Sequence, residues 1–354
     1  MIFLKSGFRK HLNYFSMECN RCLLTSDIAE VNGDCEFCKT HDKLTSEANP
    51  FKLRRILEKV KRRKGFQVLL GVSGGVDSCY LIHWALNMGL RPLVVHFDNG
   101  YNNEIAEENI RKLTKDVTFM RVSLPQGEYD LLNEAFIYAG VPDADIPNDM
   151  AMTAIMMDIA DKYGIKYIFN GHDFKSEGST PLKWTYMDAK YIKSVYRWYT
   201  GIELVHFPHY TFKKQLKYAL KGIKQIRPYY HMDITDSEKK EELREYGWED
   251  YGVKHGENLY TEWVGYDYLP NNFGIDKRRV YLSAQIRSGL ITKEQAKEEL
   301  KKTHKVKKVY NEFAGVKRTH KDFETYNFKK YRFLLWVLAN MKLVPYLFYK
   351  KYTK

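Results

Sequence analysis

The chain has 354 residues, of which 44% are apolar and 29% charged. This length allows two domains, or one large α/β domain with appendages, and the apolar content excludes global disorder. The formal net charge of +13 is concentrated near the end, because residues 301–354 hold fifteen Lys/Arg and three Asp/Glu. Such a region predicts either contact with nucleic acid, anionic lipid or an acidic partner, or a solvated basic face.

The first 16 residues are basic and aromatic, without the apolar run and cleavage site of a secretory signal, so a cytoplasmic location is expected. Met17 directly precedes the first cysteine motif, so residues 1–16 are interpreted as a start-site artefact or a loose extension.

Four of the five cysteines form two Cys-x2-Cys pairs: Cys19, Cys22, Cys35 and Cys38. In a reducing compartment this pattern favours a metal site over disulfides. Four thiolates complete a tetrahedron around Zn²⁺, so we predict a structural zinc site. An iron–sulfur cluster or a redox pair is the less favoured alternative.

The most informative motif is a glycine-rich turn between a short apolar strand and a helical pattern. It reads Gly71-Val72-Ser73-Gly74-Gly75-Val76-Asp77-Ser78. Free N–H groups and the helix dipole make such a turn an anion site. The turn lacks the Gly-Lys-Ser/Thr of a Walker A loop, which disfavours a kinase or GTPase. It resembles the PP-loop of the ATP pyrophosphatase superfamily, whose members cleave ATP to AMP and pyrophosphate.

Strands and helices alternate around this motif. Further strands are predicted over 92–97, 117–122 and 167–169, and helices over 51–64, 104–113 and 151–163, the last after a break at Pro147-Asn148-Asp149. This order predicts an α/β fold with a doubly wound parallel sheet of the PP-loop (HUP-like) type. Ligands bind beyond the carboxyl ends of such strands, so the PP-loop, 98–100 and 171–173 should form one pocket.

We therefore predict an ATP site from these three segments. The residues expected to contact ATP are Gly71, Val72, Ser73, Gly74, Gly75, Asp77, Ser78, Phe97, Asp98, Gly171, His172 and Asp173. Asp77 is expected to act through Mg²⁺, and His172 to steer phosphates or metal. Lys175 would neutralise the pyrophosphate, and Glu177 would act as an acid, a base or a metal ligand. Taken alone, each polar residue is more often a capping or solvent-facing group than a catalyst. Their common position at one rim favours catalysis.

The predicted organisation has five parts: an extension (1–16), a zinc module (17–45), a PP-loop ATP-binding domain (50–180), a substrate-specific region (181–300) and a basic, aromatic tail (301–354), with the region beyond 180 mostly helical. Two apolar stretches in the tail are interrupted by Asn340, Lys342 and Pro345, which argues against a membrane-spanning helix. A docked terminal helix is expected, with peripheral membrane contact as the alternative.

The chain resembles one family, the N-acetyl sugar amidotransferases of bacterial surface-polysaccharide and flagellar-sugar biosynthesis. The resemblance starts at Cys19 and includes the two cysteine pairs, the PP-loop, Pro147–Asp149, Phe169–Thr180, Trp184–Asp188, Asn272–Arg279, Leu282, Ser283 and Ile286. The PP-loop alone would indicate only the superfamily.

This resemblance implies conversion of an acetamido group on an anionic, often nucleotide-linked sugar into an acetamidino group. ATP would adenylate the acetamido oxygen with release of pyrophosphate, and ammonia would displace AMP. A separate glutaminase subunit would supply the ammonia, sometimes through a cyclase-like partner that conducts it. The implied substrate-binding residues are Asp149, Trp184, Tyr186, Lys277, Arg278 and Arg279. The alternative for 276–279 is a helix N-terminus with solvated charges.

Two other functions remain open from the sequence. A PP-loop tRNA-modifying enzyme, of the lysidine or thiolation type, would suit the basic charge. Thiolation is disfavoured because no cysteine follows Cys79. A tRNA-modifying enzyme in general is disfavoured because the basic residues cluster near the end and the sugar-family segments have no reason to occur in it. A nucleotide-binding scaffold is the non-enzymatic alternative, and the intact PP-loop argues against it.

Overall fold

The computed structural model describes residues 17–26, 28–181, 184–311, 313–341, 343–344, 349 and 352–353; the predicted extension lies outside them. The strands are β1 (Val31–Asn32), β2 (Asp34–Cys35), β3 (Val68–Gly71), β4 (Pro92–Asp98), β5 (Thr118–Ser123), β6 (Tyr167–Phe169) and β7 (Lys224–Ile226). The helices are α1 (Glu36–Glu47), α2 (Pro50–Lys61), α3 (Val76–Asn87), α4 (Glu104–Thr114), α5 (Gln126–Ala139), α6 (Ile146–Lys162), α7 (Ala189–Thr200), α8 (Phe212–Leu220), α9 (Asp236–Arg244), α10 (Leu259–Trp263), α11 (Leu269–Phe273), α12 (Arg278–Arg287), α13 (Lys293–Lys301) and α14 (Arg332–Asn340).

Five strands form a parallel sheet in the order β5-β4-β3-β6-β7. The chain winds outward from β3 through β4 to β5 and then returns to β6 on the other side of β3. The predicted doubly wound sheet is therefore confirmed. The direction of winding reverses between β3 and β6, and in such folds the ligand crevice lies at this point.

The central strand β3 separates two apolar layers because its side chains alternate between the faces of the sheet. Leu69 packs with Leu93 and the methionine-rich face of α6, whereas Leu70 packs with residues of α2 and α3 on the other face. Burial on both faces explains why β3 and β4 are continuous apolar runs that could be identified from the sequence.

Helix α6 and strand β7 differ from the prediction, and helices α1 and α5 have no predicted counterpart. Helix α6 begins at Ile146 and runs through the segment predicted as a break. Pro147 lies in its first turn, where a missing N–H breaks no helical hydrogen bond. Strand β7 was missed, because its three residues are polar or partly exposed and carry no strand pattern.

The region predicted as a tail packs against the body along part of its length. Arg318 N donates to Gly140 O at 2.7 Å, and the ring of Phe313 lies so close to Gly140 that a Cβ there would be 2.3 Å from it. Tyr326 N donates to Asp188 at 3.1 Å. Within the described residues, no helix has both the length and the apolar character needed to cross a membrane.

Candidate active site

A cavity of about 910 Å³ lies at the carboxyl edge of β3, β4 and β6. Most of the predicted ATP-contacting residues line it. These are Gly71, Val72, Ser73, Gly75, Asp77, Ser78, Phe97, Gly171 and His172, joined by the predicted Glu177 and Asp149. The three sequence-distant segments thus meet at one place, as the topology requires.

The PP-loop is held in shape by its own groups. Ser78 Oγ accepts from Ser73 N at 3.0 Å and donates to Gly75 O at 3.1 Å. Gly74 has a φ of +84°, and a Cβ at this position would lie 2.4 Å from Ala106 O in α4. Only glycine therefore fits at this position. Gly74 packs against α4 and shapes the loop, but it does not line the cavity.

Asp77, in the first turn of α3, belongs to a buried charge cluster that no sequence pattern indicated. Lys239 Nζ lies 2.6 Å from Asp77 Oδ1 and 3.0 Å from Asp236 Oδ1, and the Lys239 side chain is fully buried. The ammonium also lies 4.2 Å from the centre of the Tyr229 ring, whose hydroxyl donates to Asp77 O at 2.7 Å. Two carboxylates and an aromatic face thus compensate the buried ammonium.

The pKa values of this cluster are consistent with an ion pair at neutral pH. Burial raises the pKa of Asp77 to about 6, although Lys239 opposes the rise. Burial lowers the pKa of Lys239, but the carboxylates of Asp77 and Asp236 outweigh it and the net shift is upward. Asp77 is therefore ionised at pH 7 and protonates below about 6.

A second charge pair lines the cavity and joins the loop after β6 to residue 254. Lys254 Nζ lies 3.5 Å from Glu177 Oε1, and His172 Nε2 lies within hydrogen-bond distance of Gly178 O, at 2.8 Å. Burial raises the pKa of Glu177, yet Lys254 and His172 hold it below its ordinary value. Glu177 is therefore a carboxylate at neutral pH, next to the phosphate loop.

Three other predicted residues of the ATP site point elsewhere. Lys175 Nζ donates to Met232 O at 2.6 Å, and Asp173 Oδ1 accepts from Lys175 N at 3.0 Å. Asp98 pairs with Arg121 at 2.8 Å and accepts from Gly100 N at 3.0 Å. The three side chains do not line the cavity, and their contacts stabilise the loop that carries His172 and the end of β4 that carries Phe97.

Two predicted sugar-binding arginines are engaged in structural contacts. The Arg278 guanidinium contacts Asp276 at 2.8 Å and donates to the carbonyls of Glu299, Leu300 and Lys302 at 2.7 to 3.1 Å. It therefore satisfies the last carbonyls of α13. Arg279 donates to Leu23 O at 3.3 Å, in the cysteine module. Neither residue lines the cavity.

Trp184 and Tyr186 also lie away from the cavity. Trp184 is buried, and Tyr186 donates to Asp188 at 2.8 Å while its ring stacks on His320 at 4.1 Å. Lys277 is closer to the site, since its charge opposes the burial-driven rise in the pKa of Asp145 and Asp149, which both line the cavity.

The wall opposite the sheet comes from residues 251–304. The family resemblance covered only residues 272–279, 282, 283 and 286 of this stretch, of which Leu282 lines the cavity. Tyr251 Oη donates to Glu257 at 2.8 Å, and Ser73 Oγ of the PP-loop contacts the other Glu257 oxygen at 3.5 Å. Farther along, a π-helical turn (Val264–Tyr268) and α12 bring Tyr266 and Tyr281 into the lining. π-Helical turns are frequent at functional sites.

The four paired cysteines form a compact buried cluster. Three of the Sγ–Sγ distances are 3.6 to 3.7 Å, and none of the cysteines forms a disulfide. Four sulfurs about 2.3 Å from one tetrahedral ion lie about 3.8 Å apart, so the cluster fits zinc. The module is fastened to α12 and α13, because Leu23 N donates to Ser283 Oγ at 3.1 Å and Lys293 pairs with Glu18 at 2.6 Å.

Comparison with known proteins finds a family similarity over a segment that includes most of the opposite wall. Residues 257–351 match the family model described as "LPS biosynthesis protein WbpG-like, C-terminal domain". Over 310 residues the chain is 24% identical to an uncharacterized protein, MJ1599, of Methanocaldococcus jannaschii, covering 84% of this chain and 97% of that protein.

Three solved structures show low overall similarity. They are an NMN synthetase from Francisella tularensis (12% identity, TM-score 0.34, covering 71% of this chain and 93% of that one), a predicted subunit of tRNA methyltransferase from Methanocaldococcus jannaschii (15%, 0.32, 60% and 91%) and an NH3-dependent NAD synthetase from Campylobacter jejuni (13%, 0.27, 60% and 99%). The family match is the more informative finding. Residues 257–351 are similar to the C-terminal domain of WbpG-like LPS biosynthesis proteins, which confirms the predicted resemblance to a surface-polysaccharide family for this part of the chain.

Proposed function

We propose that this protein is an ATP-dependent amidotransferase that converts the acetamido group of a nucleotide-linked N-acetyl sugar into an acetamidino group during surface-polysaccharide synthesis. One observation carries the proposal: a PP-loop with a partly buried, charged Asp77 shares a cavity with a wall that lies largely in the segment matching an LPS biosynthesis domain. The side formed by the PP-loop suits ATP, and the wall formed by residues 251–304 supplies space for an acceptor.

The first half-reaction is adenylation. The acetamido oxygen attacks the α-phosphorus of ATP, the bond from this phosphorus to the bridging oxygen breaks, and pyrophosphate leaves. The N–H groups of the first turn of α3, where Val76 and Asp77 line the cavity, bind phosphate oxygens, as helix N-termini do. Lys254 faces the same space from the opposite wall, where a cation stabilises the departing pyrophosphate.

The second half-reaction is displacement by ammonia. The nitrogen bonds to the activated carbon, the bond from this carbon to the oxygen of AMP breaks, and one proton leaves the nitrogen. Glu177 is the carboxylate placed to take this proton, because Lys254 and His172 keep it ionised. We infer that a separate glutaminase subunit supplies the ammonia, with a cyclase-like partner as a conduit.

The residues present fit Mg²⁺ as well as ATP. Asp77 and Asp236 share Lys239 and both line the cavity, and Glu257 lies 3.5 Å from Ser73 Oγ. Mg²⁺ prefers carboxylate and phosphate oxygens. Bound there, the ion would neutralise charge on the transferred phosphate groups.

AMP and pyrophosphate release with ammonium as nitrogen donor tests the proposal. A panel of nucleotide-linked acetamido sugars and unmodified tRNA should be assayed separately, with mass spectrometry of each product. We expect AMP rather than ADP, only with a sugar, and a product in which NH replaces oxygen. AMP release that requires tRNA would assign the protein to RNA modification instead.

We also propose that the cysteine cluster binds structural zinc. Cys19→Ser should lower zinc content and the melting temperature, because metal binding contributes folding free energy. Cys79→Ser is the matched control: this cysteine is equally buried but lies in α3, outside the cluster. Equal metal content in both variants would contradict a zinc site.

A further inference from the structure

One part of the cavity has a distinct chemical character. We call it the acceptor lobe and define it by Tyr266, Tyr281, Gln285 and His304, which all line the cavity. The ring centres of Tyr266 and His304 are 5.0 Å apart, and the hydroxyls of Tyr266 and Tyr281 are 3.2 Å apart. Aromatic faces, hydroxyls and a neutral amide thus surround this space.

The acceptor lobe adjoins the charged residues of the site. Tyr266 Oη donates to Lys254 O at 3.2 Å, and the same lysine reaches Glu177 through its side chain. A ligand in the lobe would therefore lie beside the groups that face the PP-loop. The lobe is also continuous with the family-matched segment, since all four of its residues fall within 257–351.

Most of the residues that the family resemblance linked to the sugar are engaged in other contacts or lie away from the cavity. Arg278 and Arg279 bond to backbone carbonyls, and Tyr186 is stacked beneath the C-terminal segment. Among the described residues that the family resemblance linked to the sugar, Asp149 alone lines the cavity. The recognition surface for the acceptor must therefore come largely from other residues.

We infer that the acceptor lobe binds the pyranose ring of the acetamido sugar, with Tyr281 as the aromatic platform and Gln285 bonding to ring hydroxyls. The inference rests on the proposed function. It follows from the chemistry of the lobe: the apolar C–H face of a pyranose packs on aromatic rings, and its hydroxyls need neutral donors and acceptors. The π-helical turn directs Tyr266 toward α12, so that its ring and that of Tyr281 line the same space.

Binding of nucleotide-linked acetamido sugars, with UDP-N-acetylglucosamine as the first probe of the panel, tests this placement by calorimetry on the full chain. Tyr281→Ala should weaken sugar binding about tenfold or more, the size of one lost aromatic contact. Tyr281→Phe keeps the ring and should restore most of the affinity. ATP affinity, measured separately, should change less than about twofold in both variants.

A matched control is Tyr331→Ala, which removes an exposed tyrosine elsewhere on the surface. Gln285→Leu gives a second variant of the lobe if Tyr281→Ala unfolds, and it should also weaken sugar binding with ATP affinity retained. A sugar that binds the wild type and both lobe variants equally overturns the placement but leaves the proposed function intact. Failure of the whole panel to bind, with ATP binding intact, contradicts the proposed function and the inference together.

Discussion

The two walls of the cavity are built in different ways. The sheet-side wall presents main-chain groups of the PP-loop, fixed by β3 between its neighbours β4 and β6. The opposite wall presents side chains from short turns and helix faces between residues 251 and 304. Substitutions on the first wall should therefore affect ATP turnover with any acceptor, whereas those on the second should affect the acceptor. Four experiments test this difference.

The largest effect is expected at Asp77. Asp77→Asn keeps the shape of the side chain but removes the charge that Lys239 and a magnesium ion require. Turnover should fall at least about 100-fold with every acceptor, as when one transition-state-stabilising group is lost. Asp116→Asn, at a carboxylate with an 82% exposed side chain, is the control and should leave AMP release unchanged. Substantial activity in Asp77→Asn would refute the assigned site.

Gly74→Ala tests whether the backbone of the first wall is as constrained as its geometry indicates. The added Cβ would clash with Ala106 and force a left-handed conformation on alanine. We expect a loss of about 3 kcal/mol in unfolding free energy and no ATP binding.

Gly89→Ala separates the conformational strain of a positive φ from the steric clash, two effects that Gly74→Ala combines. Gly89 also has a positive φ (+70°), but nothing lies within 4 Å of an added Cβ. In Gly89→Ala, the unfolding free energy measured by chemical denaturation should fall only by the conformational contribution, about 1 kcal/mol. Equal losses at both positions would show that the contact with α4 is unimportant.

Arg278 should behave as a structural residue although the family resemblance implied sugar binding. Arg278→Ala leaves the carbonyls at the end of α13 without their donor, so unfolding free energy should fall by about 2 kcal/mol. The KM for the sugar should change less than about twofold. Arg244→Ala, at an exposed ion pair, should alter neither quantity. A higher KM with unchanged stability would restore Arg278 to the acceptor site.

The smallest expected effect is a decrease in the rate of AMP release as the pH falls. In the proposed mechanism Asp77 acts in its charged form, and burial raises its pKa to about 6. AMP release should thus decline as pH falls, with a midpoint near 6. Burial also raises the pKa of Asp145, to about 7, so Asp145→Asn serves to separate the two groups. A midpoint that moves in Asp145→Asn would assign the profile to that carboxyl.

Much of the sheet-side wall could be predicted from sequence because local rules determine it. The apolar runs of β3 and β4 identify buried strands, and the Gly-Gly turn fixes an anion-binding helix start. The carboxyl ends of parallel strands must meet at one edge of the sheet, so strand order along the chain is enough to place Phe97 and Gly171 near the loop.

The charge partner of Asp77 and the contacts of Arg278 and Arg279 could not be predicted because they depend on tertiary packing. Lys239 lies in a helix whose sequence, Asp236–Arg244, is almost entirely charged, and such a pattern is typical of an exposed helix. Only its packing beside α3 buries this lysine. Conversely, Arg278 and Arg279 have the residue types of an anion site, yet their partners are backbone carbonyls that no sequence pattern identifies.

Transfer of oxygen from the acetamido group tests the central claim most directly. The sugar would carry ¹⁸O in its acetamido group, and AMP would be recovered after turnover with ammonium and analysed by mass spectrometry. Because the acetamido oxygen bonds to the α-phosphorus and leaves with it, we predict one ¹⁸O in each AMP formed. AMP without the label, or release of ADP, would contradict adenylation of the sugar and with it the proposed function.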